Sequence, residues 1–155
     1  MKHNSDKIIL DLCGGTGSWS KPYKNNGYDV RIITLPEHNV MDYVCTDKIY
    51  GILSAPPCTM FSFARTNAKN ERDLIGAMDI VYKCLEIIWN CQIKLLSDTQ
   101  KTPPLKFWAL ENPRGMLEWF LGKPVYTFQP WEFGDMYKKK PVCGDILTNQ
   151  RKQMK

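Results

Sequence analysis

The amino-acid sequence predicts an α/β fold built on a mostly parallel, doubly wound sheet. Its short apolar runs are continuous, as in strands covered on both faces, rather than alternating between apolar and polar residues. Helical periodicity or loop-forming residues separate these runs, which is the pattern of βαβ units. Because 155 residues are enough to bury a substantial core, we expect one domain over residues 1–148 and a basic tail over residues 149–155.

Four strands and one long helix form the predicted framework. The strands are predicted at 7–12, 30–34, 50–54 and 107–110. The helix is predicted over residues 71–96, where apolar residues recur at helical spacing and form one face that packs on the sheet. Cys84 and Cys91 lie on this face and are expected in the core. A loop follows over residues 97–104. Ligands of such sheets bind at the carboxyl ends of the strands.

The composition is ordinary for a soluble globular protein, with 43% apolar and 24% charged residues. No apolar run approaches the roughly 20 residues that cross a bilayer. The polar start at residues 1–6 does not resemble a signal peptide. We therefore expect no membrane partner and a cytoplasmic location.

The cysteines do not predict a metal site. Six of them, at positions 13, 45, 58, 84, 91 and 143, include no C-x-x-C pair, and the chain has two histidines. In a reducing compartment the thiols are expected to be free, which allows a catalytic role for one of them.

Two basic clusters carry much of the net charge of +5, namely Lys138–Lys140 and Arg151–Lys155. Both are suited to contact phosphate. A solvated surface and a frayed terminus explain them nearly as well.

A stiff loop is predicted after the third strand, at Pro56-Pro57-Cys58. Two prolines have a fixed φ and no backbone donor, so they end the strand and hold the next side chain in place. The loop would present the Cys58 thiol to a ligand. The alternative is a small buried cysteine after an ordinary turn, because free cysteine is commonly a core residue.

Two other motifs fall at predicted carboxyl ends of strands. Asp11 to Gly17 form a glycine-rich turn in which the backbone can approach a ligand closely, followed by a short helix. The third glycine of the dinucleotide fingerprint is absent, and the alternative is a tight turn without a ligand. Glu111-Asn112-Pro113 follows the fourth strand and would hold a carboxyl group in the crevice for proton transfer. A surface glutamate before a helix is the alternative there.

Taken in order, these segments resemble the cytosine-5 DNA methyltransferase family, and especially its short, phage-type members. Asp11 to Gly17 resembles the cofactor loop, Pro56-Pro57-Cys58 with Phe61-Ser62 the nucleophile loop, and Glu111-Asn112 the glutamate motif. Phe133-Gly134 onward resembles the basic segment. The resemblance implies a Rossmann-like S-adenosylmethionine-dependent methyltransferase fold, located in the host cytoplasm if a phage encodes it.

The resemblance also implies the activity and the site. Cys58 would add to carbon 6 of cytosine and Glu111 would stabilise the charge at N3, in a base that is flipped out or single-stranded. The implied cofactor is S-adenosylmethionine, with contacts from Asp11, Leu12, Cys13, Gly14, Gly15, Gly17, Ser18, Trp19, Thr34, Leu35, Asp42 and Pro56. The implied substrate is DNA, with contacts from Pro57, Ser62, Asn112, Lys139 and Lys140.

The chain departs from the family pattern at several positions. Cys13 replaces the aromatic residue of the cofactor loop, so stacking would fall to Trp19, whose alternative role is packing. Thr34 and Leu35 stand where an acidic residue is expected, and Asp42 is the candidate for the adenine side. Lysines replace the arginines of the basic segment and cannot make forked contacts. No target-recognition region follows Gly144, so a homodimer or a partner chain would supply recognition.

Three functional hypotheses follow from the sequence. The first is an active cytosine-5 methyltransferase acting on DNA. The second is a cofactor- or nucleic-acid-binding protein of the same fold whose catalysis has been lost or diverted. The third is a methyltransferase with another acceptor, although amine methylation normally uses an aromatic residue at the position of Cys58.

Overall fold

The computed structural model describes residues 3–65, 69–93, 105–128 and 144–148. Several predicted features lie outside these ranges, namely the end of the long helix after residue 93, the loop at residues 97–104, the basic segment with Lys139 and Lys140, and the tail at residues 149–155.

Six strands and three α-helices make up the described structure, together with short 3-10 turns at Asn4–Asp6 and Val40–Asp42. The strands are β1 (Ile8–Leu12), β2 (Asp29–Ile33), β3 (Ile49–Ser54), β4 (Phe107–Pro113), β5 (Tyr126–Phe128) and β6 (Gly144–Thr148). The helices are α1 (Lys21–Asn25), α2 (Leu74–Ile93) and α3 (Leu117–Leu121).

The strands form one sheet in the order β2-β1-β3-β4-β6-β5. β1 to β4 are parallel to one another, whereas β6 is antiparallel to both of its neighbours. The prediction of a mixed α/β fold with a parallel sheet is confirmed, and the four parallel strands are compatible with a Rossmann-like fold. β5 and β6 were not predicted.

β4 continues three residues beyond its predicted end. Its parallel pairing with β3 stops at Ser54 opposite Leu110, but its antiparallel pairing with β6 continues to Pro113. Glu111 and Asn112 therefore lie within a strand and not after it. The sequence indicated an earlier end because a pairing with a strand more than thirty residues away leaves no local pattern.

α2 covers one face of the parallel sheet. Cys84 and Cys91 are buried on this helix, which confirms their predicted place in the core. One core cluster joins the helix to β1, β2 and β3, and it includes Leu10, Leu12, Ile33, Ile52, Cys84, Ile87, Ile88 and Cys91. A second cluster surrounds Phe61 and includes Ala77, Met78, Val81, Leu110 and Leu117. Both clusters lie under strands that lead to the predicted site.

The long helix begins at Leu74, three residues later than predicted, because Asp73 caps it. The Asp73 carboxylate accepts a hydrogen bond of 2.8 Å from the backbone N–H of Gly76, within the first turn. A side-chain acceptor at this position satisfies a donor that has no partner inside the helix. In the part of the chain described here, no helix is both long and apolar enough to span a membrane.

Replacing Asp73 with alanine should lower the free energy of unfolding by about 1 kcal/mol, because the cap is lost. Urea unfolding followed by circular dichroism measures this change. Asp79→Ala, which removes an exposed carboxylate from the middle of the same helix, is the matched control and should change stability by less than about 0.5 kcal/mol. Equal losses in the two variants would contradict the capping role.

Candidate functional site

The glycine-rich loop after β1 is built from residues with left-handed backbone conformations. Cys13 has a φ of 58°, Gly15 of 54° and Gly17 of 71°. The backbone N–H of Gly17 donates to the Gly14 carbonyl over 2.9 Å, which closes the turn. Glycine adopts these angles without steric cost, so the sequence folds into a compact turn at the carboxyl end of the strand.

Asp11 lies fully buried beneath this loop. A Cβ atom on Gly14 would lie 2.3 Å from the carboxylate oxygen Oδ1, so only glycine fits at that position. The hydroxyl of Ser20 donates to Asp11 Oδ2 and also lies 3.2 Å from the Gly17 carbonyl. Burial raises the pKa of the Asp11 carboxyl group, and the hydrogen bond from Ser20 opposes that shift. Oδ1 has no hydrogen-bond partner among the described residues.

The predicted cofactor residues of this loop point in different directions. The Leu12 side chain is in the core, and its carbonyl accepts a hydrogen bond of 2.9 Å from Ala55. The Cys13 side chain packs against the same core, where a hydrogen bond with Cys84 and burial raise the pKa of its thiol. Ser18 is exposed and Trp19 is half-buried. The backbone of the turn and Ser18 are therefore the groups available to a ligand.

The residues after β2 lie at the same edge of the sheet. Leu12 pairs with Ile33, and the Cys13 N–H donates to the Ile33 carbonyl over 2.8 Å, so Thr34 lies beside the glycine loop. Thr34 is half-buried and Leu35 is exposed. Asp42 is exposed in the second 3-10 turn.

The loop after β3 holds the predicted nucleophile. Pro56 is buried, Pro57 is exposed and Cys58 is half-buried, so the thiol is not a core residue. The Cys58 carbonyl accepts hydrogen bonds from the N–H groups of Phe61 (3.0 Å) and Ser62 (2.9 Å). The chain therefore makes one tight turn immediately after the thiol, as a rigid presenting loop requires.

Asn112 joins β4 to this loop. Its side chain is buried, and Nδ2 donates to the Pro56 carbonyl over 3.0 Å, while Oδ1 has no partner among the described residues. The contact that the structure describes for Asn112 is to the protein backbone, and its substrate contact stays a prediction. This bond fixes the nucleophile loop against the strand that carries Glu111.

Cys58 and Glu111 are close enough to interact electrostatically. Burial raises the pKa of the Cys58 thiol, and the negative charge of the Glu111 carboxylate raises it further. The two groups therefore disfavour a state in which both are ionised.

Two residues that the sequence did not single out also hold the nucleophile loop. The Arg72 guanidinium group is partly buried and donates to the carbonyls of Met60 and Ser62, the latter over 3.0 Å. Gly115 forms an isolated bridge with Ser62, and a Cβ atom there would lie 2.3 Å from the Phe61 carbonyl oxygen. An arginine fourteen residues from the nucleophile gives no local signal. Gly115 could have been identified from the sequence, because it lies close to the Glu111-Asn112 motif.

The carboxyl ends of the four parallel strands bring the predicted groups to one edge of the sheet. This edge carries the glycine loop, the residues after β2, the Cys58 loop and Glu111. The predicted contacts Lys139 and Lys140 lie outside the described residues. Within the described ranges, no group of three His, Cys, Asp or Glu side chains is placed to hold a metal ion. Comparison of the chain with protein-family models and with curated proteins gives no match.

Replacing Glu111 with glutamine should lower the pKa of Cys58, because it removes the negative charge that opposes thiolate formation. The rate of Cys58 alkylation by iodoacetamide, followed by mass spectrometry across a pH series, measures this pKa. The inflection should move to lower pH in the variant. Glu118→Gln on α3 is the matched control and should leave it in place. An inflection that stays or rises in Glu111→Gln would show that the two groups do not interact.

Replacing Arg72 with methionine should cost about 1.5–3 kcal/mol of stability, because two carbonyl groups lose a charged donor. Alkylation of Cys58 at a fixed pH should also change, since the loop is no longer held. Arg65→Met removes the same charge from a side chain bonded only to the carbonyls of Asn70 and Glu71 in the described structure. Similar effects of the two variants on Cys58 would count against a specific role for Arg72.

Proposed function

We propose that this chain is an S-adenosylmethionine-dependent methyltransferase that modifies carbon 5 of cytosine in DNA through a covalent Cys58 adduct. The observation that carries this proposal is the hydrogen bond from Asn112 to the Pro56 carbonyl, which holds the Cys58 loop against the strand that carries Glu111. The charge of Glu111 also raises the pKa of the Cys58 thiol. A half-buried thiol beside a carboxyl group is the pair that the chemistry requires. The resemblance of Pro56-Pro57-Cys58 and Glu111-Asn112 to the family motifs supports the same reading.

The glycine loop favours a methyltransferase over a dinucleotide-dependent oxidoreductase. The dinucleotide fingerprint has a third glycine where the helix packs on the strand. Ser20 stands where the third glycine would be, and its hydroxyl is bonded to Asp11.

Two features of the glycine loop support the binding of S-adenosylmethionine. Gly15 is exposed, so the backbone of the turn is open to close approach. Asp11 lies fully buried directly beneath Gly14, so its carboxylate shapes the turn that would hold the cofactor. When bound, S-adenosylmethionine would supply an electrophilic methyl group to carbon 5.

The residues of the chain have separate tasks in the proposed reaction. The Cys58 thiolate forms a bond to carbon 6, and the electron pair of the 5,6 double bond increases the electron density at carbon 5. The Glu111 carboxyl group donates a proton at N3 and so neutralises the charge that this addition places on the ring. Carbon 5 would then form a bond to the methyl group as the sulfur–methyl bond breaks, with S-adenosylhomocysteine as the leaving group, and carbon 5 would lose its proton to a base. The sulfur–carbon bond then breaks, N3 returns its proton to Glu111, and the Cys58 thiolate is regenerated.

The raised pKa of Cys58 favours a second candidate function, a binding protein of the same fold without catalysis. A thiol held in its protonated form by burial and by a neighbouring carboxylate is a weak nucleophile. Such a protein would bind S-adenosylmethionine or nucleic acid and would form no adduct.

Incubation with DNA containing 5-fluorocytosine and tritiated S-adenosylmethionine separates the two candidates. Fluorine at carbon 5 prevents the final elimination, so the active enzyme should form a stable covalent complex that carries tritium. Cys58→Ser should bind the cofactor with unchanged affinity, measured by calorimetry, and form no complex. Cofactor binding by the wild type without a complex on single- or double-stranded DNA would support the binding protein. If the wild type does not bind S-adenosylmethionine, both the methyltransferase and the S-adenosylmethionine-binding protein are excluded.

A further inference from the structure

Two exposed aromatic rings meet beside the candidate site. The Phe63 side chain is 49% exposed and the Trp119 side chain is 70% exposed. Their ring centroids lie 6.0 Å apart with an interplanar angle of 55°. An exposed pair of this size presents a broad apolar surface that folding alone does not require.

The backbone fixes this pair relative to the nucleophile. Phe63 follows the turn from Cys58 to Ser62, and Trp119 lies on α3. The Met116 N–H donates to the Phe61 carbonyl over 2.8 Å, and the Ser62–Gly115 bridge joins the two segments. These two backbone contacts hold the Cys58 loop against the segment that follows β4, and they also bring the two rings together.

A second ring contact joins the same two segments. The fully buried Phe61 ring contacts the Phe120 ring, which is 49% exposed, with centroids 6.3 Å apart. Because Phe61 is a core residue, it anchors the segment that carries Phe63 and limits the conformational freedom that Phe63 would lose on binding.

The two segments that carry the rings have a net positive charge, which suits a polyanion. The segments 61–65 and 114–123 carry three cationic side chains, Arg65, Arg114 and Lys123, against one carboxylate, Glu118. Aromatic faces flanked by cations are the usual surface for unpaired nucleic-acid bases, because each base stacks through its π-face while the cations attract the phosphates. A protein partner with a purely apolar surface would gain nothing from these positive charges.

We propose that Phe63 and Trp119 form a stacking platform for an unpaired base next to the cytosine that enters at Cys58. The proposal rests on the proposed function, which it deepens by identifying the substrate as a strand with unpaired bases around the target. Stacking on these rings is tolerant of sequence, so the platform holds the strand without choosing the base. Binding is then driven by stacking and charge rather than by base-edge recognition.

A cycle of two variants and two oligonucleotides tests the platform. The protein variants are the wild type and Phe63→Leu/Trp119→Leu, and the fluorescent single-stranded oligodeoxynucleotides carry either a normal base or an abasic residue beside the target cytosine. The double substitution should weaken binding of the normal oligonucleotide by roughly 5- to 150-fold, the range for one stacked base. The abasic residue is placed on one side of the target cytosine and then on the other. At the placement that removes the stacked base, the double substitution should have a much smaller effect, because that oligonucleotide already lacks the base that stacks on the rings. Fluorescence anisotropy at constant salt measures all four affinities.

Trp89→Leu is the matched control, since Trp89 is 63% exposed but lies on α2. It should leave both affinities unchanged. Equal weakening of both oligonucleotides by the double variant, with abasic residues placed on either side of the target, would overturn the proposal. A second result would also overturn it: loss of self-association in the double variant, measured by sedimentation, together with unchanged oligonucleotide affinity. The rings would then form a protein interface.

Formation of the 5-fluorocytosine adduct distinguishes failure of the platform from failure of the proposed catalytic function. An adduct without the base-specific loss refutes the platform alone, whereas the loss without an adduct refutes the catalytic function alone.

Discussion

The buried hydrogen bond from the Asn112 amide to the Pro56 carbonyl is the contact on which the candidate site depends. Neither Pro56 nor Pro57 has a backbone N–H, so this part of the loop cannot fasten itself through its own donors. A buried carbonyl left without a partner costs about 1–3 kcal/mol, and Asn112 removes that cost. Because Glu111 is the adjacent residue on β4, the bond that holds the loop also sets the position of Cys58 relative to the carboxyl group.

A second buried polar contact determines the shape of the glycine-rich loop after β1. Asp11 occupies the space under Gly14, and the Ser20 hydroxyl donates to its carboxylate and lies 3.2 Å from the Gly17 carbonyl. The loop therefore closes around a carboxylate rather than around apolar atoms. In the proposed function Asp11 shapes the loop that would hold the cofactor, whereas the Asn112 contact holds the loop that bears the nucleophile. Two polar residues, one on each of the strands that flank β3, thus organise two different tasks.

Local patterns in the sequence were sufficient to predict the parallel strands, the long helix and the edge of the sheet at which the motifs lie. The strands are continuous apolar runs, and the helix has an apolar face, so each leaves a signal within ten to twenty residues. β5 is three residues long and β6 pairs with distant strands, so neither leaves one. The nucleophile loop was found through its prolines, but its supports were not. Arg72 and Ser20 act through hydrogen bonds that form only after the chain folds, and the hydrogen bond from Asn112 to the Pro56 carbonyl likewise leaves no sequence pattern.

The electrostatic contact between Cys58 and Glu111 connects the raised pKa of the thiol with the proposed reaction. A carboxylate beside the thiol favours the protonated sulfur, whereas a protonated carboxyl group removes that opposition. The addition step needs a thiolate together with a proton donor at N3, and this is the arrangement in which the pair carries one negative charge with its proton on Glu111. A base that enters the cleft excludes water from the carboxyl group and offers N3 as its hydrogen-bond partner, both of which favour protonated Glu111. In the proposed reaction, the same carboxyl group that raises the pKa of the thiol when ionised would favour the thiolate once it is protonated.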